Sequence, residues 1–445
     1  MNRAVGQAIV QPGKTSGGTR DLGWEILDRI RHRWTRTRDE GVPDPVRPGE
    51  TVAWHPLSWE AGDLGLALLY ASADFVAPGD GWDLVADVHV RAAIHAYRTL
   101  PSLGVGLFSG TAGVAWTLQS LAHGGERYQR AIDGVEAVLV ERGRRALDDC
   151  RGQDTLSTDA YDMVNGLAGL GWYLLHTGAN GLVAGSSSPI DIRGERGRLL
   201  SEVLAELGSR ARTMTTSGGG LATGPHQVTR VERAHFPHLR GGYINLGQAH
   251  GIAGVLALLG RAEAAGHPGL TEGIDALRAV LVDSLRDTPV GRDTRYYLTP
   301  GRGEQEGLTR SAWCYGNPGL AVALAGTGVL ADAATAVQLH LSTLRRSGQE
   351  MDIDNPSLCH GHGGLAMVSR FLGLPVDQHV RDVMQFSAPE ACFGLRVEHL
   401  RGHVVDSPGL LEGSGGVAAM LVAADLPVDM PTPLDLLFTG RRSCD

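Results

Sequence analysis

The amino-acid sequence predicts an all-α fold, an α/α toroid of about seven inner and seven outer helices. A Gly-x-x-Gly motif recurs seven times at intervals of 45 to 85 residues, and an apolar run follows each copy. Amphipathic segments lie between the copies, and we find no convincing run of alternating apolar and polar residues typical of strands. Fully apolar helices that alternate with amphipathic helices can all bury their apolar faces if the helix pairs close into a double ring.

The seven glycine motifs predict the starts of the inner helices. The residues after each motif are apolar nearly all round, which is typical of a helix buried on every side. We expect the missing Cβ to permit close backbone approach where these helices converge, and a non-helical φ at the helix start. The copies are GDLGLALLYA from Gly62, GTAGVAWTLQ from Gly110, GLAGLGWYLL from Gly166, GIAGVLALLG from Gly251, GNPGLAVALA from Gly316, GHGGLAMVSR from Gly361 and GSGGVAAMLV from Gly413.

The segments between the motifs predict the outer helices. Their apolar residues recur three and four positions apart with charged residues between them. This pattern is typical of a helix with one solvent-exposed face. The clearest segments are 90–100, 127–147, 199–214, 274–287 and 333–347.

This pattern also divides the chain. We expect a flexible N-terminal segment with the first outer helix in residues 1–50, the toroid in 51–430, and a C-terminal tail in 431–445. The longest interval between motifs includes 177–243, which we interpret as a long loop or small insertion near the reactive rim.

Composition excludes several classes of protein. The formal net charge of −9 argues against broad binding to nucleic acids or anionic membranes. Five cysteines in 445 residues are too sparse for a disulfide framework and favour a reducing compartment. The N-terminus lacks the apolar run of a signal peptide, and the longest apolar stretches are too short to cross a bilayer. We therefore expect a cytoplasmic protein with no membrane span and no nucleic-acid partner.

Reactive residues occupy matching positions in neighbouring repeats. Cys314 and Cys359 each lie two residues before the first glycine of their motif, and His360 and His250 each lie directly before it. Asp162 lies four residues before Gly166. Because equivalent positions of ring-related repeats lie at one rim, we expect these side chains to converge although 198 residues separate Asp162 from His360.

Two thiolates and an imidazole suit Zn²⁺, and three protein ligands leave the fourth tetrahedral position open, as in catalytic sites. We therefore predict a zinc site at Cys314, Cys359 and His360. The alternative is that the two cysteines are buried and inert and that the histidine only makes structural hydrogen bonds. His362 is a nearby spare imidazole, but it lies one step off the shared position and is left out of the ligand set.

A thiolate-rich zinc site is suited to carrying a substrate thiol. Coordination deprotonates a thiol whose free pKa is about 8.5, so a nucleophile forms at neutral pH. His250 would then exchange a proton with the other reactant, and Asp162 would orient His250 or share that task. The alternative role for Asp162 is to cap a helix.

These motifs resemble those of the lanthionine synthetase C-like family. The resemblance runs from about residue 50 to about residue 425 and rests on Asp162 in YDMVNGLAGLG, His250 in NLGQAHGIAG, Cys314 in RSAWCYGNPG, and Cys359 and His360 in LCHGHGGL. It implies an α/α toroid with zinc on these two cysteines and His360. It also implies a reaction, the addition of peptide cysteine thiols to dehydroalanine or dehydrobutyrine, which makes lanthionine and methyllanthionine rings.

The resemblance also implies roles for individual residues. His250 is expected to protonate the enolate at the α-carbon, with Asp162 as its partner. Arg310 and Tyr315 match positions that shape the site. Arg310 would stabilise enolate charge, or alternatively form a structural ion pair.

The implied partner is a dehydrated precursor peptide with leader and core. The chain length predicts a stand-alone cyclase served by a separate dehydratase, with a peptide exporter as a further partner. Two alternatives stay open: thiol addition of the glutathione type, and a non-catalytic peptide-binding scaffold braced by zinc. His362 stands where the resemblance leads us to expect a bulkier residue.

Overall fold

The computed structural model describes residues 17–43, 49–99, 103–122, 127–177, 190–299, 307–399, 403–427 and 429–440. Parts of three predicted segments lie outside the described residues: the beginning of 1–50, the region after residue 177 in the predicted loop, and the end of 431–445.

The described residues form eighteen α-helices. The helices are α1 (Gly17–Glu40), α2 (Asp63–Val76), α3 (Trp82–Thr99), α4 (Thr111–Ser120), α5 (Gln129–Arg151), α6 (Thr158–Tyr161), α7 (Leu167–His176), α8 (Ile190–Arg212), α9 (Arg230–His235), α10 (Ile252–Ala264), α11 (Thr271–Asp283), α12 (Asn317–Ala325), α13 (Leu330–Leu344), α14 (Gly348–Met351), α15 (His362–Phe371), α16 (Asp377–Met384), α17 (Ser414–Ala423) and α18 (Pro433–Thr439).

Seven of these helices form a closed inner ring. Each of the seven glycine motifs begins one of them, and nearly all of their residues are buried. Consecutive inner helices contact each other, and the last contacts the first. The predicted α/α toroid is therefore confirmed. In order around the ring the inner helices are α2, α4, α7, α10, α12, α15 and α17.

Seven outer helices surround this ring. α3, α5, α8, α11, α13 and α16 each pack on the inner helix that precedes them in the chain. The seventh outer helix comes from the other end of the chain, because α1 packs on α17 and completes the last hairpin. The five amphipathic segments predicted from the sequence overlap α3, α5, α8, α11 and α13, and the segment 274–287 also reaches into a short strand, Arg286–Thr288. No described helix is both long enough and apolar enough to span a lipid bilayer.

The described residues also contain eight short strands. Each has only two or three residues, and they form four antiparallel pairs, β1 with β2, β3 with β6, β4 with β5, and β7 with β8. Their bounds are β1 (Val42–Pro43), β2 (Thr51–Val52), β3 (Ile244–Asn245), β4 (Arg286–Thr288), β5 (Gly291–Asp293), β6 (Tyr297–Leu298), β7 (Val397–His399) and β8 (His403–Val405).

A closed circle of backbone hydrogen bonds links the starts of the inner helices. In each repeat, an N–H two or three residues before the first glycine of the motif donates to a carbonyl of the next repeat, at 2.9–3.3 Å. This circle holds equivalent positions of neighbouring repeats side by side at one rim. The bonds run from Trp59 to Phe108, Leu107 to Val164, Met163 to Ala249, Gln248 to Cys314, Cys314 to Cys359, Leu358 to Leu411, and Leu410 to Glu60.

Close backbone approach explains the glycines at this rim. A Cβ on Gly113 would lie 2.1 Å from the carbonyl oxygen of Leu107, and the second glycine of every other motif meets the equivalent carbonyl at 2.0–2.4 Å. The expected non-helical φ holds at every first glycine, but only Gly316, with φ of 101°, adopts a conformation that favours glycine. The other six have extended backbone open to any residue.

The chain from residue 431 onward, expected to be a tail, contains a buried helix. In α18 the ring of Phe438 packs edge-on against the ring of Trp313, with centroids 4.7 Å apart. The indole Nε1–H of Trp313 donates to the carbonyl of Phe438 at 3.1 Å. This helix therefore packs directly behind the loop that carries Cys314.

Candidate active site and metal centre

Three sulfur and nitrogen side chains meet at the rim. Cys314 lies in the loop before α12, and Cys359 and His360 lie in the loop before α15. The circle of backbone hydrogen bonds joins these loops, because the N–H of Cys314 donates to the carbonyl of Cys359 at 3.3 Å. One potential ligand atom from each of the three residues lies within 4.8 Å of the others.

The three side chains form a polar network that favours a thiolate. The hydrogen bond from Cys359, supported by the charges of His360 and Arg310, lowers the pKa of Cys314 to about 5. The same contact raises the pKa of the Cys359 thiol well above its usual value. Burial opposes protonation of His360, but its hydrogen bond to Cys314 and the charge of Glu412 outweigh burial and raise its pKa. Two sulfurs and one imidazole so placed are a donor set that fits zinc, with one coordination position left open.

A histidine–aspartate pair stands beside this cluster. His250 Nδ1–H donates to Asp162 Oδ2 at 2.6 Å. The other carboxylate oxygen of Asp162 accepts from the backbone N–H groups of Asn165 and Gly166, just before α7. Asp162 is fully buried, whereas the side chain of His250 is 38% exposed. One oxygen of Asp162 therefore binds the loop that leads into α7, whose N-cap is Gly166, and the other holds His250.

The surroundings raise the pKa of both members of the pair. Burial raises the pKa of Asp162, although the hydrogen bond from His250 opposes this. Burial lowers the pKa of His250, but the hydrogen bond to Asp162 and its charge outweigh burial, so the pKa is raised. His250 is thereby suited to hold a proton near neutral pH.

The backbone places this pair next to the sulfur cluster. The N–H groups of Gln248 and Ala249 both donate to the carbonyl of Cys314, at 2.9 and 3.3 Å. The N–H of Met163 donates to the carbonyl of Ala249 at 3.1 Å. The third to sixth repeats therefore lie in sequence along the rim, as their shared register predicts.

Arg310 forms the ion pair that the sequence left as an alternative. Its Nε donates to Asp352 Oδ2 at 3.2 Å, and its backbone N–H donates to the hydroxyl of Tyr296 at 2.9 Å. Its positive charge also helps to lower the pKa of Cys314. The guanidinium therefore acts electrostatically on the cluster while it is held by a carboxylate.

Aromatic rings border the site on the side of Tyr315. The hydroxyl of Tyr315 accepts from Asn245 Nδ2 at 2.9 Å. Its ring lies 5.5 Å from that of Tyr296 and 6.1 Å from that of Tyr297, measured between centroids. These tyrosines form a wall next to Cys314.

The sequence profile of the lanthionine synthetase C-like proteins matches residues 53–433. The chain belongs to this family. That match spans all seven inner helices, from the segment before α2 to the start of α18, so it covers every residue of the rim described above.

Two known proteins show how far the likeness extends within this family. The nisin biosynthesis protein NisC of Lactococcus lactis subsp. lactis is 23% identical over 352 residues, which cover 75% of this chain and 77% of the relative. The structure of a nisin cyclase superposes with a TM-score of 0.70 at 19% identity and covers 93% of this chain and 97% of that one. The second comparison supports the toroid fold.

Sequence reasoning missed one polar neighbour of the cluster. Glu412 Oε1 lies 3.8 Å from His360 Nδ1. Glu412 directly precedes Gly413, so it occupies in the seventh repeat the position that His360 occupies in the sixth. The repeat register was therefore the signal that would have found it. Tyr296 and Tyr297 lie on a connection outside the motifs, and no repeat position marks them.

His362 does not join the sulfur cluster. It is the first residue of α15, and its Nδ1 lies 3.6 Å from Asp382 Oδ2 on α16. The step off the shared register therefore turns this imidazole toward the outer helix.

Proposed function

We propose that this family member is a zinc-dependent lanthipeptide cyclase. It would add cysteine thiols of a dehydrated precursor peptide to dehydroalanine or dehydrobutyrine residues of the same peptide, forming lanthionine and methyllanthionine. Family membership supports the reaction class. The observation that carries the proposal is the convergence of Cys314, Cys359 and His360 beside the hydrogen-bonded pair of His250 and Asp162.

Cys314, Cys359 and His360 are the proposed zinc ligands. When bound, the ion supplies the Lewis acidity that keeps a substrate thiol deprotonated near neutral pH. The close approach of the three donor atoms supports this assignment, and both thiols would be deprotonated as metal ligands.

His250 is the proposed general acid. In the addition, the substrate sulfur bonds to the β-carbon and the resulting enolate takes a proton at the α-carbon, so one S–H and one C=C are replaced by one C–S and one C–H. The partly exposed imidazole of His250 would deliver that proton, and Asp162 would hold the ring and keep it protonated.

Arg310 and Tyr315 are proposed to shape the site. The charge of Arg310 would stabilise the enolate. The wall formed by Tyr315, Tyr296 and Tyr297 would contact the peptide chain, because aromatic rings provide large rigid contact surfaces.

The reaction implies partners. Its substrate carries residues that have lost water, so an enzyme that dehydrates serine and threonine must act first on the precursor, which would consist of leader and core. A peptide exporter would act afterwards. The sparse free cysteines support a reducing, cytoplasmic setting, where the thiol ligands and substrate thiols stay reduced.

Incubation with a dehydrated precursor peptide tests the proposal. Cyclisation leaves the peptide mass unchanged but removes free thiols, so mass spectrometry after thiol alkylation should show fewer alkylated cysteines with zinc-loaded protein than with His250→Asn. A full complement of alkylated cysteines would contradict the proposal. Binding of the peptide without thiol loss would favour a scaffold, and a mass increase of one glutathione, when that thiol is added, would favour the other alternative.

A further inference from the structure

A second group of metal-binding side chains lies behind the rim, between α15 and α16. His362 is the first residue of α15, and His379 and Asp382 lie three positions apart on α16, which places them on one face of that helix. One potential ligand atom from each of the three lies within 4.8 Å of the others.

Two imidazole nitrogens in this group are buried and unsatisfied. Among the described residues, neither Nδ1 of His362 nor Nδ1 of His379 has a hydrogen-bond partner. His379 is only 4% exposed. A buried polar atom without a partner costs about 1–3 kcal/mol, and a bound ion that satisfied both nitrogens would remove this cost.

One distance in the group is close to that between two ligands of one ion. His362 Nδ1 and Asp382 Oδ2 are 3.6 Å apart, beyond a good hydrogen bond. Two ligands that each lie 2.0–2.2 Å from a tetrahedral ion are separated by about 3.4 Å. The His250–Asp162 pair differs, because its two atoms are already bonded to each other at 2.6 Å.

The surroundings of the group also fit a cation. The second oxygen of Asp382 accepts from Gln378 Nε2 at 2.8 Å, the kind of contact that orients a ligating carboxylate. Phe386 lies on the apolar side of the group, with its ring centroid 6.1 Å from that of His362.

We propose that His362, His379 and Asp382 form a second metal site that binds a divalent transition-metal ion of the zinc class. Two imidazoles and one carboxylate are a donor set that such ions accept. The ion would tie the start of α15 to α16 and brace the hairpin whose preceding loop carries Cys359 and His360. This site stands independently of the proposed cyclase activity.

Metal content after removal of the first site tests this proposal. The purified chain is loaded with Zn²⁺, dialysed, and its zinc measured by mass spectrometry. We expect two zinc ions per wild-type chain, one in Cys314→Ala/Cys359→Ala, and one in His379→Gln/Asp382→Asn. The control is His32→Gln/Asp28→Asn, which alters an exposed i, i+4 pair on α1 and should leave two.

Cobalt spectroscopy and thermal unfolding give measurements that do not depend on the His379 variant. Co²⁺ bound to Cys314→Ala/Cys359→Ala should show weak d–d absorption without sulfur-to-metal charge transfer, and Zn²⁺ should raise the Tm of this variant. A Cys314→Ala/Cys359→Ala variant that is folded by circular dichroism but binds no zinc or cobalt would overturn the proposal. Two zinc ions in folded His379→Gln/Asp382→Asn would also overturn it.

Discussion

The backbone N–H of Cys314 donates a hydrogen bond of 3.3 Å to the carbonyl oxygen of Cys359. This bond joins the same position in two neighbouring repeats. Each of the remaining neighbouring pairs around the ring is joined by a backbone bond from the same or the preceding position. The two thiols therefore face each other because the repeats are circularly arranged, although 45 residues separate them in the chain. Since these bonds use backbone atoms, the backbone arrangement of the rim does not depend on the cysteine side chains.

Replacement of Cys359 by alanine should abolish cyclisation and leave the fold intact. A metal Lewis acid contributes several kcal/mol to a transition state, so we expect a loss of about a hundredfold or more. The measurement is the rate of thiol loss in the dehydrated precursor, with far-UV circular dichroism to verify the fold. Cys392→Ala, at a half-buried cysteine that is not a proposed zinc ligand, is the control and should retain activity. Wild-type rates in Cys359→Ala would refute the role assigned to this residue.

Chelation of the zinc-loaded protein should have the same effect. The inner ring is held by apolar packing and backbone hydrogen bonds, so helical content should persist while thiol loss stops. Readdition of Zn²⁺ should restore activity. Full activity after complete metal removal, verified by elemental analysis, would show that the reaction needs no metal.

The pH dependence of cyclisation should reveal the His250–Asp162 pair. A general acid loses activity as pH rises through its pKa, and the Asp162 carboxylate raises the pKa of His250 above its ordinary value of 6.5. In Asp162→Asn that raising effect is lost and burial lowers the pKa, so the alkaline limb of the pH–rate profile should move to lower pH. The asparagine oxygen can still accept from the N–H groups of Asn165 and Gly166, which preserves the helix start.

His250→Asn provides the second arm of this test. Removal of a general acid costs about 10²–10⁴-fold in rate, and the limb assigned to His250 should disappear. An alkaline limb that stays in place in both variants would rule out proton donation by His250.

Gly113→Ala should destabilise the toroid. Its Cβ would lie 2.1 Å from the carbonyl oxygen of Leu107, so the backbone of the rim must shift, at a cost of about 1–3 kcal/mol. Gly134 in α5 has open space where a Cβ would stand, and Gly134→Ala should stabilise by about 0.5–1 kcal/mol. Urea unfolding of both variants gives the comparison. Equal stability of the two would refute the close-approach explanation of the glycine repeat.

Asp293→Ala should be strongly destabilising. Asp293 is fully buried and accepts from Arg346 Nη2 at 2.5 Å and from Arg286 Nη2 at 2.7 Å. Arg346 also donates to the carbonyl of Thr309, directly before Arg310, so this ion pair supports the loop of the active rim. Loss of the carboxylate leaves a buried guanidinium uncompensated, which costs about 3–5 kcal/mol in the free energy of unfolding.

The control for this variant is an exposed ion pair. Glu141 and Arg145 form an i, i+4 pair on α5 with side chains 59% and 73% exposed. Glu141→Ala should change the free energy of unfolding by less than about 1 kcal/mol. If Asp293→Ala behaves like Glu141→Ala in chemical denaturation, the buried ion pair does not carry the stability assigned to it.

The ring itself was predictable because its signal repeats. The glycine motifs located all seven inner helices, and their shared register brought Cys314, Cys359, His360, His250 and Asp162 to one rim. The packing of α1 on α17 lies beyond any local pattern, since it joins opposite ends of the described chain. The short strands were missed because two or three residues are too few to show alternation.

Side-chain direction was the harder part to predict. The register correctly separated His362 from the sulfur cluster, but only the structure shows where its imidazole points, because that depends on the packing of α15 against α16. The expected non-helical φ is present at all seven first glycines, but at six of them the backbone is extended, so contact with the neighbouring backbone, and not φ, excludes a side chain.

Zinc-edge X-ray absorption on the zinc-loaded His379→Gln/Asp382→Asn variant tests the proposed metal centre most directly, because this variant isolates the site at the rim. Shared coordination by Cys314, Cys359 and His360 predicts two sulfur neighbours at about 2.3 Å, with nitrogen or oxygen at about 2.0–2.1 Å in the remaining positions. A zinc ion with one sulfur neighbour or none would contradict it.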